Sequence, residues 1–275
     1  MPQKRFFDAQ LAHHINHASR DSSQLLNQMQ ECSLDPQESH HAIHVMRLKK
    51  GDTFEVIDGK GCLAEGIVSQ VTKKALLYRC TKIDFHPLDA TQGVIIQLQA
   101  QLAKSKLELV VEKSTELGVD ILIVFKAKNS DKQPLTPAFA SHLEKKMRAA
   151  LKQSGRLWMP ALVLCENLSE LETSLMQADR FQKELLTNAS RWVLDLPKRD
   201  CPEHTHWKRA GVDVINAANI VALGPEPGWT QAELDQLKEY GFQPTAINSH
   251  CLRAETAAIS AIATLTTARY LMRQE

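Results

Sequence analysis

The pattern of apolar and polar positions changes character near residue 86. Upstream of it, short runs alternate in the manner of half-buried strands. They cover residues 53–57, 63–71 and 75–83, with a turn at Asp58-Gly59-Lys60-Gly61. Lys4-Arg5-Phe6-Phe7 has the composition to open another strand. Asp35-Pro36-Gln37-Glu38 reads as a helix start. The Asp side chain can accept from an uncapped N–H, and Pro occupies the one turn where its missing N–H is not needed. That helix is expected to reach Met46, with Ile43 and Met46 on one side. Close-spaced short strands with Gly turns predict a small β-barrel over residues 1–80.

Downstream of His86-Pro87 the apolar runs lengthen and alternate with helical spacing, and an α/β domain is expected over residues 81–275. Buried strands are expected at residues 94–98, 121–125, 161–164 and 220–223. Helices are expected at 106–117, stopped by Gly118, and at 137–154, 230–240 and 253–272. Thr230 to Glu233 has the spacing of a capping box. Residues 185–196 are ambiguous, in the manner of an interrupted strand, and 200–216 read as a long surface excursion. Strands and helices in this alternation imply a largely parallel sheet.

Composition adds little to this picture, with 43% hydrophobic and 24% charged residues, as in an ordinary folded domain. No run is long and apolar enough for a membrane span, and the first ten residues lack a secretory pattern. Six cysteines with no C-x-x-C pair suit a reducing, cytoplasmic setting in which they act as small hydrophobes. Net charge is +1, yet residues 99–156 hold eleven Lys and Arg against six Asp and Glu, a local +5. A phosphate-binding face and a solvated helix surface both explain that excess.

Two segments carry candidate chemistry. Leu223-Gly224-Pro225-Glu226-Pro227-Gly228-Trp229 lies between a buried strand and a capped helix. Ligands of open α/β sheets bind at such strand ends, although a tight structural turn would look the same. Leu252-Arg253-Ala254-Glu255-Thr256-Ala257 opens the last helix, where Glu also suits the helix dipole. A Rossmann-type cofactor domain would carry a Gly-rich loop after its first strand; here Gln99-Ala100-Gln101-Leu102-Ala103 follows, without glycine.

Together the two segments resemble the GPEGG and LRxETA motifs of the RsmE family, the 16S ribosomal RNA uridine N3-methyltransferases. Arg5-Phe6-Phe7 is similar to that family's opening, and His44 to Leu48 with Gly51-Asp52 and Asp58-Gly59 to its N-terminal domain. Leu102-Ala103-Lys104 with Lys106, Glu108, Lys113, Glu116, Leu117, Gly118 and Val119 resembles its first knot segment. Gln153-Ser154-Gly155-Arg156 and Pro160 resemble a further stretch, so the ordered set spans nearly the whole chain. The chain departs from the pattern at Pro227 and Asn248, which stand where the family has Gly, and at His250-Cys251, which replace Arg-Ile.

The resemblance implies a SPOUT α/β domain, a parallel sheet with a trefoil knot, preceded by a PUA-like β-barrel. It implies a homodimer, S-adenosylmethionine as cofactor, and 16S ribosomal RNA or the small ribosomal subunit as partner. Carried onto this chain, the cofactor residues are Leu98, Leu102, Leu223, Gly224, Pro225, Glu226, Gly228, Ile247, Leu252 and Arg253. Uridine N3 becomes nucleophilic on losing its proton, so Glu226 and Glu255 are candidate bases. Arg253 is a candidate for stabilising charge on a uracil oxygen. The RNA-binding candidates are Arg5, Arg47, Lys49 and Lys50 in the first unit, and Arg148, Lys152 and Arg156 beside Lys145 and Lys146. Lys145, Arg148 and Lys152 recur at helical spacing, as a row that could follow phosphates.

His40, His41 and His44 share a helix at metal-ligand spacing, but with no further ligand nearby they read as a solvated face. The segment from Cys201 to His206 reads as loop, and no metal site is expected. The competing functions are a SPOUT-fold RNA-binding protein with weakened or lost catalysis, motivated by Pro227 and His250, and a SPOUT methyltransferase with another RNA target.

Overall fold

The computed structural model describes residues 4–11, 31–88, 93–177, 188–195 and 218–271. The chain forms two compact units, one of residues 1–88 with 151–159 and the other of 89–150 with 160–275.

In the first unit, strands β1 (Arg5–Phe7), β2 (Cys32–Ser33), β3 (Thr53–Ile57), β4 (Cys62–Val71) and β5 (Leu76–Phe85) form one sheet in the order β1-β3-β4-β5-β2. β1 runs parallel to β3, and the other pairings are antiparallel. The last strand continues to Phe85, five residues past position 80. Register shifts between Glu65 and Gly66 and between Val68 and Gln70 bend the long β4–β5 ribbon. The inward positions pack Phe54 edge-on against Phe6 and Tyr78, with ring centroids 5.3 and 5.4 Å apart. Tyr78 donates its buried hydroxyl to Asp8 at 2.7 Å. Burial first, and then the Asp8 charge, push that phenol far above its ordinary pKa.

Helix α1 (Pro36–His40) starts as the sequence indicates, with Asp35 accepting from the Glu38 N–H at 2.8 Å. It passes into a π-helical turn over His41–Val45. Cys32, Cys62 and Cys80 are buried and form no disulfide. Desolvation, aided by Asp58, lifts the Cys62 thiol to about 12, so it is protonated and inert at neutral pH. Residues 151–159 complete this unit. Met159 donates to Gly59 and Gly61 to Leu157, while Leu151, Leu157 and Met159 pack on Phe7, Ile57 and Leu63.

The second unit holds β6 (Ile95–Ala100), β7 (Ile121–Phe125), β8 (Ala161–Cys165), β9 (Ser190–Leu194), β10 (Asn219–Leu223) and β11 (Gln243–Thr245) in a parallel sheet, order β11-β9-β10-β6-β7-β8. Every residue of β6, β7 and β10 is buried, which explains the unbroken apolar run of β7 and the Val and Ile content of the other two, where Gln97, Gln99 and Asn219 are buried polar residues. Ile96, Leu98, Ala100, Ile123 and Ala222 belong to one core cluster, with Leu237 of helix α5 (Gln231–Glu239) and Phe242. Helix α4 (Leu171–Gln177) adds Leu171 and Leu175.

Helix α6 (Ala254–Leu271) packs against β6, β10 and helix α2 (Lys104–Leu117). Its fully buried side is one stripe, Ala258, Ala261, Ile262 and Leu265, at helical spacing. α2 ends at Gly118, whose φ of 113° is open to a residue without Cβ. Arg269 of α6 binds the Gly118 carbonyl and Asp120, each at 2.8 Å, fixing that end. Helix α3 (Pro137–Ser154) matches its expected span. Among the described residues no helix is long and apolar enough to cross a membrane. The surface excursion expected at 200–216 lies outside the described residues.

Candidate active site

The C-terminal ends of β9, β10 and β11 open into one pocket, where parallel α/β sheets place their ligands. Three segments line it: Leu194 and Asp195 at the end of β9, residues 223–229 at the end of β10, and 246–248, 250–252, Ala254 and Ala257 after β11. The second and third are the two segments singled out in the sequence.

The loop after β10 is held on every side. Gly228 donates to the Pro225 carbonyl at 2.9 Å, closing a tight turn with Glu226 and Pro227 at its tip. Pro227 needs no N–H in that turn, so the ring is accommodated where the family pattern has Gly. The Trp229 ring stacks on Phe125, with centroids 6.0 Å apart and planes 14° off parallel. Its indole N–H donates to the Leu194 carbonyl at 3.0 Å, tying the loop to β9. Gly224 lies under that ring, and a Cβ there would stand 2.9 Å from the indole nitrogen.

Beyond Trp229, Thr230 and Glu233 form the expected capping box of α5. Glu233 also accepts from the Lys128 N–H at 2.8 Å. Burial works to raise the Glu233 pKa, but the bonds from Thr230 and Lys128 outweigh it and hold the carboxyl below its ordinary range.

After β11, Asn248 accepts from the His250 N–H through its side chain at 2.9 Å, an Asx turn. Among the described residues only Arg47 is a non-glycine with positive φ, so Asn248 turns the chain without left-handed geometry. The Arg253 carbonyl accepts from Ala257 at 2.8 Å and begins α6.

Of the expected cofactor residues, Leu223, Gly224, Pro225, Glu226, Gly228, Ile247 and Leu252 line the pocket together. Leu98 and Leu102 are buried and do not line it, and Leu98 belongs to the core between sheet and helices. Arg253 is exposed at the start of α6, beside the pocket rather than among its walls. Glu226 and Glu255 converge on Lys106 of α2, at 2.8 and 3.9 Å. Lys106, Trp229 and Asp195 were not among the expected site residues. The first two stand within the matched segments, and Asp195 carries no sequence signal.

The RNA-binding candidates divide. Arg5 is 10% exposed at its side chain and pairs with Glu55, its Nε 2.7 Å from the carboxylate. Arg47, Lys49 and Lys50 are exposed. Arg148 faces Glu144 at 3.8 Å, Lys152 pairs with Glu38, and Arg156 is half-buried. The His40 and His44 rings stand 4.6 Å apart, and among the described residues no His, Cys, Asp and Glu group could hold a metal.

Comparison with known proteins matches residues 91–266 to the RNA methyltransferase domain family and 34–77 to the RNA methyltransferase PUA domain. The chain is 24% identical over 255 residues to the ribosomal RNA small subunit methyltransferase E of Bacillus subtilis, covering 88% of this chain and 91% of that one. It is 26% identical over 227 residues to methyltransferase E 2 of Borreliella burgdorferi, covering 82% and 86%. Its fold is similar to the crystal structure of a ribosomal RNA small subunit methyltransferase E from Neisseria gonorrhoeae bound to S-adenosyl methionine. That similarity has a TM-score of 0.70 at 21% identity, over 96% of this chain and 97% of the other. The architecture is the SPOUT type with a preceding PUA-like unit, as the motifs imply.

Proposed function

The chain belongs to the RNA methyltransferase domain family, and on that premise we propose that it transfers the methyl group of S-adenosylmethionine to N3 of a uridine in 16S ribosomal RNA. One observation carries the reading. Two motif segments separated in sequence contribute to the lining of one pocket at the strand ends, residues 223–229 from the first and Leu252, Ala254 and Ala257 from the second.

The residues present suit the cofactor. Leu223, Ile247 and Leu252 offer apolar contact, the Gly228 backbone is open to close approach, and the carboxylate of Glu226 answers a cationic sulfonium. When bound, S-adenosylmethionine supplies a methyl group already activated on sulfur. What this chain must add is alignment and the removal of one proton. Glu226 or Glu255 accepts the N3 proton, and Arg253 at the pocket mouth stabilises the charge left on a uracil oxygen. The N3 edge is the pairing edge, so the base enters unpaired or flipped.

The PUA-like unit, taken as residues 1–80, and the basic residues Arg47, Lys49, Lys50, Arg148, Lys152 and Arg156 serve to hold the RNA backbone, and the working form is a homodimer. A light-scattering mass of one chain at micromolar concentration would contradict the dimer. Catalytic loss is the weaker alternative, because the turn around Pro227 keeps its hydrogen bond.

Calorimetric titration with S-adenosylmethionine tests the cofactor reading. One site per chain is expected, with thermal stabilisation of about 2.7 kcal/mol at a hundredfold excess over Kd. Absence of heat and of stabilisation at millimolar cofactor contradicts it.

A further inference from the structure

Lys106 occupies the first turn of α2, where the helix dipole disfavours a cation, and that turn holds no acidic residue and no side-chain cap. A residue placed against its local electrostatics points to a role outside its own helix. Its ammonium lies 2.8 Å from Glu226 of the pocket turn and 3.9 Å from Glu255 of α6. Among the described residues the inner oxygen of Glu255 is shielded from solvent and has no hydrogen-bond partner. The side chains of Lys106, Glu226 and Glu255 are 32%, 45% and 13% exposed, so Glu255 is the most enclosed of the three.

We infer that Lys106 is a positioning residue of the pocket: one ammonium ties the Pro225–Gly228 turn to the first turn of α6 by serving both carboxylates. The inference rests on the cofactor reading above for its functional consequence, not for the tie itself. Two carboxylates from separate segments would repel each other and splay the pocket walls if the cation between them were removed. The direct bond to Glu226 fixes the turn. The longer approach to Glu255 neutralises a carboxylate that would otherwise be enclosed without a counter-charge. Lys106 thereby acts through Glu226 and Glu255, and touches no reacting atom itself.

The test is a pair of double-mutant cycles on the full chain, Lys106→Met with Glu226→Gln and Lys106→Met with Glu255→Gln, each read two ways. In cofactor titrations Lys106→Met is expected to raise the S-adenosylmethionine Kd roughly fivefold. Lys106→Arg should restore it, and neither double variant should be worse than its weaker single. In urea unfolding, without cofactor, the midpoint shifts of both pairs should be non-additive. Additive shifts in either pair, or coupling to Glu226 alone, overturn the shared tie. If the wild type binds no S-adenosylmethionine, the cofactor reading fails while the urea cycles still decide the role of Lys106.

Discussion

Gly224→Ala is a perturbation whose size follows from the geometry of the pocket. The added Cβ would stand 2.9 Å from Cε2 and Nε1 of Trp229, closer than carbon and nitrogen can approach. The indole must move, and it has two attachments to lose: its bond to the Leu194 carbonyl and its stack on Phe125. The bond contributes about 1 kcal/mol net and the stack about 0.5–1.5 kcal/mol. Crowding that the ring cannot fully relieve adds about 1 kcal/mol. The sum, roughly 2.5–3.5 kcal/mol, corresponds to a fall in Tm of about 5–14 °C for a chain of this size. The loop carrying Glu226 shifts with the ring, so cofactor affinity and methyl transfer should fall with it. Replacing Trp229 by Phe removes both the N–H and the ring edge nearest Gly224. In that background Gly224→Ala should therefore cost much less. Differential scanning calorimetry of the four proteins, with cofactor titration of each, measures this. Additive melting shifts would refute the crowding argument.

Arg253→Ala should leave the fold intact, because its backbone contribution to α6 is unchanged and its side chain is exposed; single-turnover assays should show methyl transfer abolished, and wild-type rates would remove Arg253 from the site. Replacing Arg148 and Lys152 together with Ala should weaken RNA binding and lower the salt slope by just under two units, at unchanged cofactor affinity; filter binding across a salt series checks it, and an unchanged slope shows that this face does not meet RNA. Glu108 is held below its ordinary pKa by its bond to Lys146 and then by His142, at 3.0 and 2.7 Å. A carboxylate depressed in the fold contributes stability above its unfolded pKa of about 4.3 and loses it as pH falls through the lower folded value. Urea midpoints should accordingly drop in acid below about pH 4.3, and Glu108→Gln should drop less steeply; identical pH curves would discount the pair.

The elements readable from sequence were those whose signal is local. Ile121–Phe125 and Pro137–Ser154 match their expected spans because a short continuous apolar run and a long amphipathic helix each carry a local signal. The Asp35 cap, the Gly118 stop and the Thr230 capping box are written in two to four residues and form as expected. Strand β11 escaped notice because it is three residues long and contains Pro244; a proline is tolerated there because the strand lies at the sheet edge. The inclusion of residues 151–159 with the first unit is equally unreadable, since it depends on contacts with Gly59, Gly61 and Phe7 far away in sequence.

At the site, the motif loops were legible because their residue types are tied to the turn each must make. The partners of charged residues were not. Arg5, expected to meet phosphate, pairs with Glu55 in the fold, and Lys106 looked like one more helix lysine and joins two carboxylates. Leu98 sits inside β6 on the face that packs into the core, and strand alternation alone cannot tell which face meets a ligand.

The central claim is tested most directly by incubating the purified protein with S-adenosylmethionine and unmodified small ribosomal subunits, then mapping the methylated nucleotide by mass spectrometry of RNA fragments. The account predicts a single added methyl group, on N3 of one uridine of the 16S RNA, absent with Arg253→Ala. A methyl group on another base or another atom, or none under conditions where the cofactor binds, would contradict it.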